Sequence, residues 1–154
     1  MSEAAARTFF SSPAFAVVGA SSNPAKFGNI IFKWYHAHSL PVTPINPTAA
    51  TITLPSNPTP FPALPSISRL PNPTETSISI VTPPAATLAV LREAKWLGVP
   101  AVWLQPGTFD DEVLRFLTEE GGFKAAVAGE GGDGSEGWCV LVDGEKALRG
   151  VGKL

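Results

Sequence analysis

A short apolar run ending in glycine, followed by a polar loop and an amphipathic segment, constrains this chain more than any other feature. The run is Phe15-Ala-Val-Val-Gly19. Its shortness and its lack of alternation read as a strand covered on both faces. Ala20 to Lys26 is a polar loop. Phe27, Ile30, Ile31 and Trp34 then recur at the spacing of one helix face. A buried strand, a glycine turn and a helix make the first half of a βαβ unit. Such units demand a parallel sheet and right-handed crossovers.

The later segments continue the alternation. Leu40-Pro-Val-Thr-Pro-Ile45 reads as a second short strand, and its prolines suit an irregular or edge position. Ser77-Ile-Ser-Ile-Val-Thr82 alternates and is β-branched, so it reads as a strand stopped by Pro83 and Pro84. Pro84 fits the first turn of the next helix, whose spacing runs through Leu88, Leu91 and Trp96 to Leu97. Gly98 ends it. Val99-Pro-Ala-Val-Trp-Leu104 is the next strand. Thr108 or Asp110 caps a helix carrying Val113, Leu114, Phe116 and Leu117, with Asp110, Asp111 and Glu112 favouring its dipole. Lys124 to Ala128 reads as a strand, Gly129 to Gly137 as a flexible glycine-rich loop, and Trp138-Cys-Val-Leu-Val-Asp143 as a last strand. Pro55, Pro58, Pro60, Pro62, Pro65, Pro71 and Pro73 exclude a useful helix from the stretch between them. A meandering crossover is expected there, with one short strand near Ile52–Leu54.

The expected fold is therefore α/β: a Rossmann-like three-layer domain with a mostly parallel sheet of about five strands. Residues 1–14 read as an N-terminal extension and 15–154 as a single domain, which 154 residues suit.

Charge and composition narrow the function. The net charge of −2 argues against a nucleic-acid partner. No apolar run approaches the ~20 residues that span a bilayer, so no membrane role is expected. One cysteine, Cys139, rules out an internal disulfide framework and a cysteine-rich zinc site, and suits a reducing cytoplasm. Arg7 is the only base near the start, a poor basis for a mitochondrial presequence. Between Glu3 and Glu75 there is no acid, while Arg7, Lys26, Lys33 and Arg69 lie there. An acid-free first half suits a phosphate-bearing ligand, although a stretch rich in Ser, Thr and Pro is also short of acids by composition alone.

In open parallel sheets ligands bind beyond the carboxyl ends of the strands. Four loops lie there. In the first, Gly19 permits a tight turn, Ser21 and Ser22 offer hydroxyls, and the helix start offers free N–H groups to a pyrophosphate, with Lys26 adding charge. This loop is neither a complete G-x-G-x-x-G nor a Walker loop. The second, Asn46-Pro47, lacks the acid that would hold the ribose of NAD. Asn46 suits a ribose contact or an Asx turn equally. The third, Thr82-Pro83-Pro84, offers a rigid path. The fourth carries Gln105 and the turn residue Gly107, while Trp103 belongs to the core.

Val17-Val-Gly-Ala-Ser-Ser-Asn-Pro-Ala-Lys-Phe-Gly28, Ile45-Asn-Pro47, Val81-Thr-Pro-Pro84 and Trp103-Leu-Gln-Pro-Gly107 together resemble the CoA-binding domain family. That family is similar to the nucleotide-binding domain of the succinyl-CoA synthetase α subunit. The resemblance covers roughly Phe15 to Asp143. It implies a Rossmann-like fold holding coenzyme A or acyl-CoA across the strand ends. It implies that Gly19, Ala20, Ser21 and Lys26 approach phosphates and that Asn46, Pro47, Thr82 and Pro83 line the nucleotide. Ser22, Phe27, Gly28, Gln105 and Gly107 complete the candidate set. Relatives often carry a base after the Asn-Pro pair; here it is Thr48.

Catalytic groups are scarce. His36 and His38 fall at a helix end, an ordinary place for them. No metal-ligand spacing or Ser-His-Asp arrangement stands out. Cys139 is a candidate contact for the coenzyme thiol, against the default of an inert buried cysteine. The expected protein is a CoA-binding module without its own catalysis, with a CoA-type small molecule as partner and its protein partner unknown. The alternatives are an NAD(P)-binding oxidoreductase-like protein, for which Tyr35 is the only tyrosine and sits on a helix, and a Rossmann-like interaction protein that has lost its ligand.

Overall fold

The computed structural model describes residues 2–154. Strands β1 (Ala14–Val18), β2 (Val42–Ile45), β5 (Thr76–Ile80), β6 (Ala101–Leu104) and β7 (Ala125–Val127) form one sheet in the order β2-β1-β5-β6-β7. Every pair in it is parallel. The chain leaves β1 toward β2 on one side and later enters β5 on the other. The strand order thus reverses between β1 and β5, where such sheets bind ligands. Helices α1 (Glu3–Phe10), α2 (Phe27–Ala37) and α5 (Val140–Gly150) cover one face. Helices α3 (Pro84–Leu97) and α4 (Asp111–Glu119) cover the other. This is the three-layer α/β architecture that the alternation predicts.

Burial on both faces explains why β1 is apolar without a break. Phe15 and Val17 enter one core, Ala16 and Val18 the other. The serines of β5 are the exception, and each is paired. Ser77 shares a hydrogen bond with Ser12 at 2.6 Å, and Ser79 with the Tyr35 hydroxyl at 2.5 Å. Burial pushes the Tyr35 phenol well above its ordinary range, so it stays a neutral hydroxyl in the core.

The N-terminal extension packs into the core as helix α1, and two readings need correction. Ser2 caps α1, its Oγ accepting from Ala5 N at 3.1 Å. Phe9 and Phe10 are wholly buried against Phe15, and both pack on Trp103. The run from Trp138 to Asp143 is not a strand; helix α5 begins at Val140. A short apolar run does not distinguish strand from helix by itself. Here the Asp143 carboxylate accepts the Cys139 N–H at 3.0 Å and draws the chain into a first helical turn. Val140, Asp143, Gly144, Ala147 and Leu148 then face inward at helical spacing. Finally, the proline-rich stretch holds a hairpin of β3 (Thr51–Leu54) and β4 (Asn57–Pro62) where only one short strand was expected. Its prolines are tolerated because β4 pairs with β3 alone, leaving an edge that needs no N–H. Two single 3₁₀ turns, Ile67–Arg69 and Pro73–Glu75, complete the crossover to β5.

The edge strand β2 is capped by the same crossover. Leu64 N donates to Pro44 O at 3.1 Å, and Asn46 N donates to Leu64 O at 2.9 Å. This strap covers an edge that would otherwise expose unpaired backbone.

The tightest contact lies where β1 meets α2. Gly19 has φ +94°, and a Cβ added to Gly28 would lie 2.0 Å from the Gly19 carbonyl oxygen. Only glycine permits that approach. Gly28→Ala is expected to destabilise the fold by about 2 kcal/mol or more, because backbone rather than a side-chain tip must yield. A urea midpoint with unchanged m-value measures it. Phe10→Ala is expected to cost about 3–5 kcal/mol by the same measurement, as a wholly buried ring is lost. An extension merely resting on the surface would cost far less.

Candidate functional site

A cleft of about 690 Å³ opens at the carboxyl ends of β1, β5 and β6. Its walls come from the loops after those strands and from the segment leading into α5. Gly19, Ala20, Ser21, Lys26, Phe27, Gly28, Asn46, Thr82, Pro83, Gln105, Gly107 and Cys139 all line it. These twelve sequence candidates are separated by up to 120 residues along the chain and meet only in the folded protein.

The loop after β1 is shaped by short-range polar contacts. Ser21 Oγ accepts from Asn23 N at 3.1 Å, and Asn23 Oδ1 accepts from Ala25 N at 3.0 Å. These turns deliver Lys26 to the N-cap of α2, where its side chain makes no capping bond. The first turn of α2 also contains no acid. Asn29 N donates to Lys26 O at 3.0 Å, which leaves Phe27 and Gly28, both in the cleft lining, with neither a side-chain acceptor nor a neutralising carboxylate. Helix α4 is the contrast: Asp110 Oδ1 accepts from Val113 N at 2.9 Å, and Asp111 and Glu112 sit in the first turn. Those acids serve that helix, as their crowding suggests.

Two candidates lie elsewhere. Ser22 turns toward the hairpin, where its Oγ accepts from Thr53 N at 3.0 Å. Pro47 lines a neighbouring apolar cavity of about 290 Å³ with Val18, Ile45, Pro65 and Ile67. Gly19 and Thr82 border both spaces.

Asn46 bonds to both its own loop and the loop after β1. Its Nδ2 donates to Ala20 O at 2.9 Å, and its Oδ1 accepts from Thr48 N at 2.9 Å and Ala49 N at 2.8 Å. The Asx turn is thus present, and the same side chain clips the second loop to the first. Thr82 Oγ1 hydrogen-bonds Thr87 Oγ1 at 2.8 Å, fixing the double-proline turn onto α3. Gln105 is 2% exposed. Its Oε1 accepts from Val140 N at 3.1 Å and its Nε2 donates to Cys139 Sγ at 3.1 Å. Gln105 therefore binds the β6 loop to the start of α5 and orients the thiol. Cys139 occupies the N-cap of α5 rather than a strand end, and is partly exposed in the cleft.

Ala25, Val81, Pro84 and Pro106 of the same loops and Glu136, which no motif marked, also line the cleft. Asn29, 1% exposed, supports it from beneath by donating to Ser21 O at 2.9 Å and Thr53 O at 3.2 Å. A polar residue on the inner face of an amphipathic helix was the signal available for Asn29. Glu136 gave none, because its place depends on the path of the glycine-rich loop.

His36 and His38 lie outside the cleft lining. His38 stacks on Trp34 with ring centroids 4.1 Å apart and reaches Glu145 at 3.0 Å. His36 packs edge-on against Phe61. No group of three or more His, Cys, Asp or Glu suited to a metal occurs among the described residues. No helix among them is long and apolar enough to cross a membrane.

Comparison with known proteins agrees with this geometry. The family model described as a CoA binding domain matches residues 13–129. That span includes every cleft-lining segment except the one carrying Glu136 and Cys139. No match is found among curated proteins. Among solved structures, a conserved hypothetical protein from Pyrococcus furiosus is 35% identical, with 73% of this chain and 90% of that one covered and a TM-score of 0.62. A hypothetical protein from Pyrococcus horikoshii is 22% identical over 96% of this chain and 93% of that one, with a TM-score of 0.74. A protein from Thermus thermophilus is 24% identical over 96% and 99%, with a TM-score of 0.72. The last two show the same fold. With its sheet order, its four strand-end loops and a family match over most of its length, the chain belongs to the CoA binding domain family.

Proposed function

We propose that this protein is a binding module for coenzyme A or acyl-CoA, without catalysis of its own. The observation that carries the reading is the uncapped, acid-free N-terminus of α2, with Lys26 beside it, at the rim of a cleft at the strand-order reversal. An oriented N-terminus and a lysine favour phosphate groups. The cleft volume of about 690 Å³ suits a large nucleotide derivative.

The nucleotide end of the ligand lies against Gly19, Ala20, Ser21 and Lys26, with Thr82 and Pro83 along its path. The pantetheine arm runs past Gln105 and Gly107 toward Cys139. Asn46 holds the loops in register through Ala20, Thr48 and Ala49. The position after β2 that carries an acid in NAD-binding proteins is this asparagine, which favours a cofactor bearing phosphate on its ribose. A partly exposed thiol at the ligand's reactive end suits a reducing compartment such as the cytoplasm.

Thermal shift with CoA, acetyl-CoA, NAD⁺ and NADP⁺, followed by calorimetry, tests this. CoA at about 100 times its Kd is expected to stabilise the fold by about 2.7 kcal/mol. For a chain of this size that is roughly 5–10 °C in Tm. Lys26→Ala is expected to weaken binding about tenfold, the worth of one charge-assisted contact to phosphate. A shift with NAD⁺ or NADP⁺ alone would replace the reading with a redox one. No shift with any of them would favour an interaction protein that has lost its ligand.

A further inference from the structure

The cleft is electrically polarised. Lys26 is the only cation among its lining residues and Glu136 the only anion. They come from different walls. Lys26 follows β1, whereas Glu136 lies three residues before Cys139, which Gln105 holds at the end of β6, two strand positions from β1. On the coenzyme reading, a ligand anchored by phosphates at Lys26 extends toward the wall that carries Glu136 and Cys139.

The placement of Glu136 is built into the loop that carries it. Gly129, Gly131, Gly132 and Gly137 all have positive φ, between +73° and +119°. The neck of the loop is closed by Trp138 N donating to Gly129 O at 3.0 Å. A Cβ on Gly137 would lie 2.3 Å from that same carbonyl oxygen. Below the loop, the buried Asp143 carboxylate accepts from Asp133 N at 2.8 Å and from Cys139 N at 3.0 Å. Trp138, 5% exposed, anchors the loop edge-on against Trp103. The stretch that composition marks as flexible thus has a specified path. Glu136 is an exposed residue of the cleft lining and takes part in no ion pair among the described residues.

We infer that Glu136 makes this end of the cleft selective for coenzyme A thioesters with an uncharged short acyl group, and against those whose acyl chain ends in a carboxylate. The inference deepens the coenzyme reading above and rests on it. Free thiol and acetyl thioester bring no charge to Glu136. A dicarboxylic acyl group brings a second carboxylate to a place already holding one, and like charges in apposition select against a ligand.

Calorimetry with CoA, acetyl-CoA and succinyl-CoA on the native protein and two variants tests it, read as the ratio of acetyl-CoA to succinyl-CoA affinity. The native ratio is expected to be about three- to fivefold in favour of acetyl-CoA, the scale of one solvent-exposed charge interaction. Glu136→Gln is expected to bring the two affinities together, and Glu136→Lys to invert the preference. Equal native affinities, or a ratio that neither variant moves, would overturn the inference while leaving the coenzyme reading in place. Failure of all three ligands to bind the native protein would overturn the coenzyme reading, and this inference with it.

Discussion

The carbonyl of Gly19 and the α-carbon of Gly28 lie so close that no side chain fits between them, and the cleft depends on that contact. It draws the first turn of α2 down onto the end of β1. The helix N-terminus is thereby set at the strand end, while the body of α2 packs over the face of the sheet. Gly19 itself turns with positive φ, beside the Val81 backbone at the end of β5. One backbone crossing thus brings together β1, β5 and α2, the three elements flanking the point where strand order reverses. Lys26 and the free N–H groups of α2 owe their position at the rim to this crossing.

Around that crossing, side-chain amides, those of Asn29 and Gln105 buried and that of Asn46 half-buried, join loops that are far apart in sequence. Asn46 links the loop after β2 to Ala20. Asn29 links Ser21 to the hairpin at Thr53. Gln105 links the β6 loop to Val140 and Cys139. Each offers both donor and acceptor groups, and each is held by backbone partners on other segments. A buried amide left unpaired costs about 1–3 kcal/mol, so these clips specify one arrangement of the loops more than they add stability. The shape of the cleft is therefore set by contacts within the chain.

The two halves of the chain contribute differently to the site. The acid-free first half supplies the β1 loop and Lys26. The acid-rich second half supplies Glu136 and Cys139. The asymmetry seen along the sequence reappears in the cleft lining, whose one cation comes from the first half and whose one anion comes from the second.

Local physics made much of this protein legible from its sequence. The unbroken apolar β1, the helical spacing of Phe27 to Trp34, the stop at Gly98 and the strand-end motifs each follow from a few neighbouring residues. Together they determined the parallel α/β fold and most of the residues that line the cleft. Segments whose local pattern admits two structures were decided by distant partners. Trp138 to Asp143 became the start of α5 because Asp143 receives backbone N–H groups and Gln105 receives that of Val140. Helix α1 became part of the core because Phe9 and Phe10 find Trp103 and Phe15. Ser22 and Glu136 exchanged expectations for the same reason: one turned to the hairpin, the other arrived on a loop of positive-φ glycines. The sequence by itself determined periodicity, caps and breaks, which act within one or two turns of chain. Only the tertiary structure decided which loops meet and which polar atoms are spent on one another, because those contacts join residues far apart in the chain.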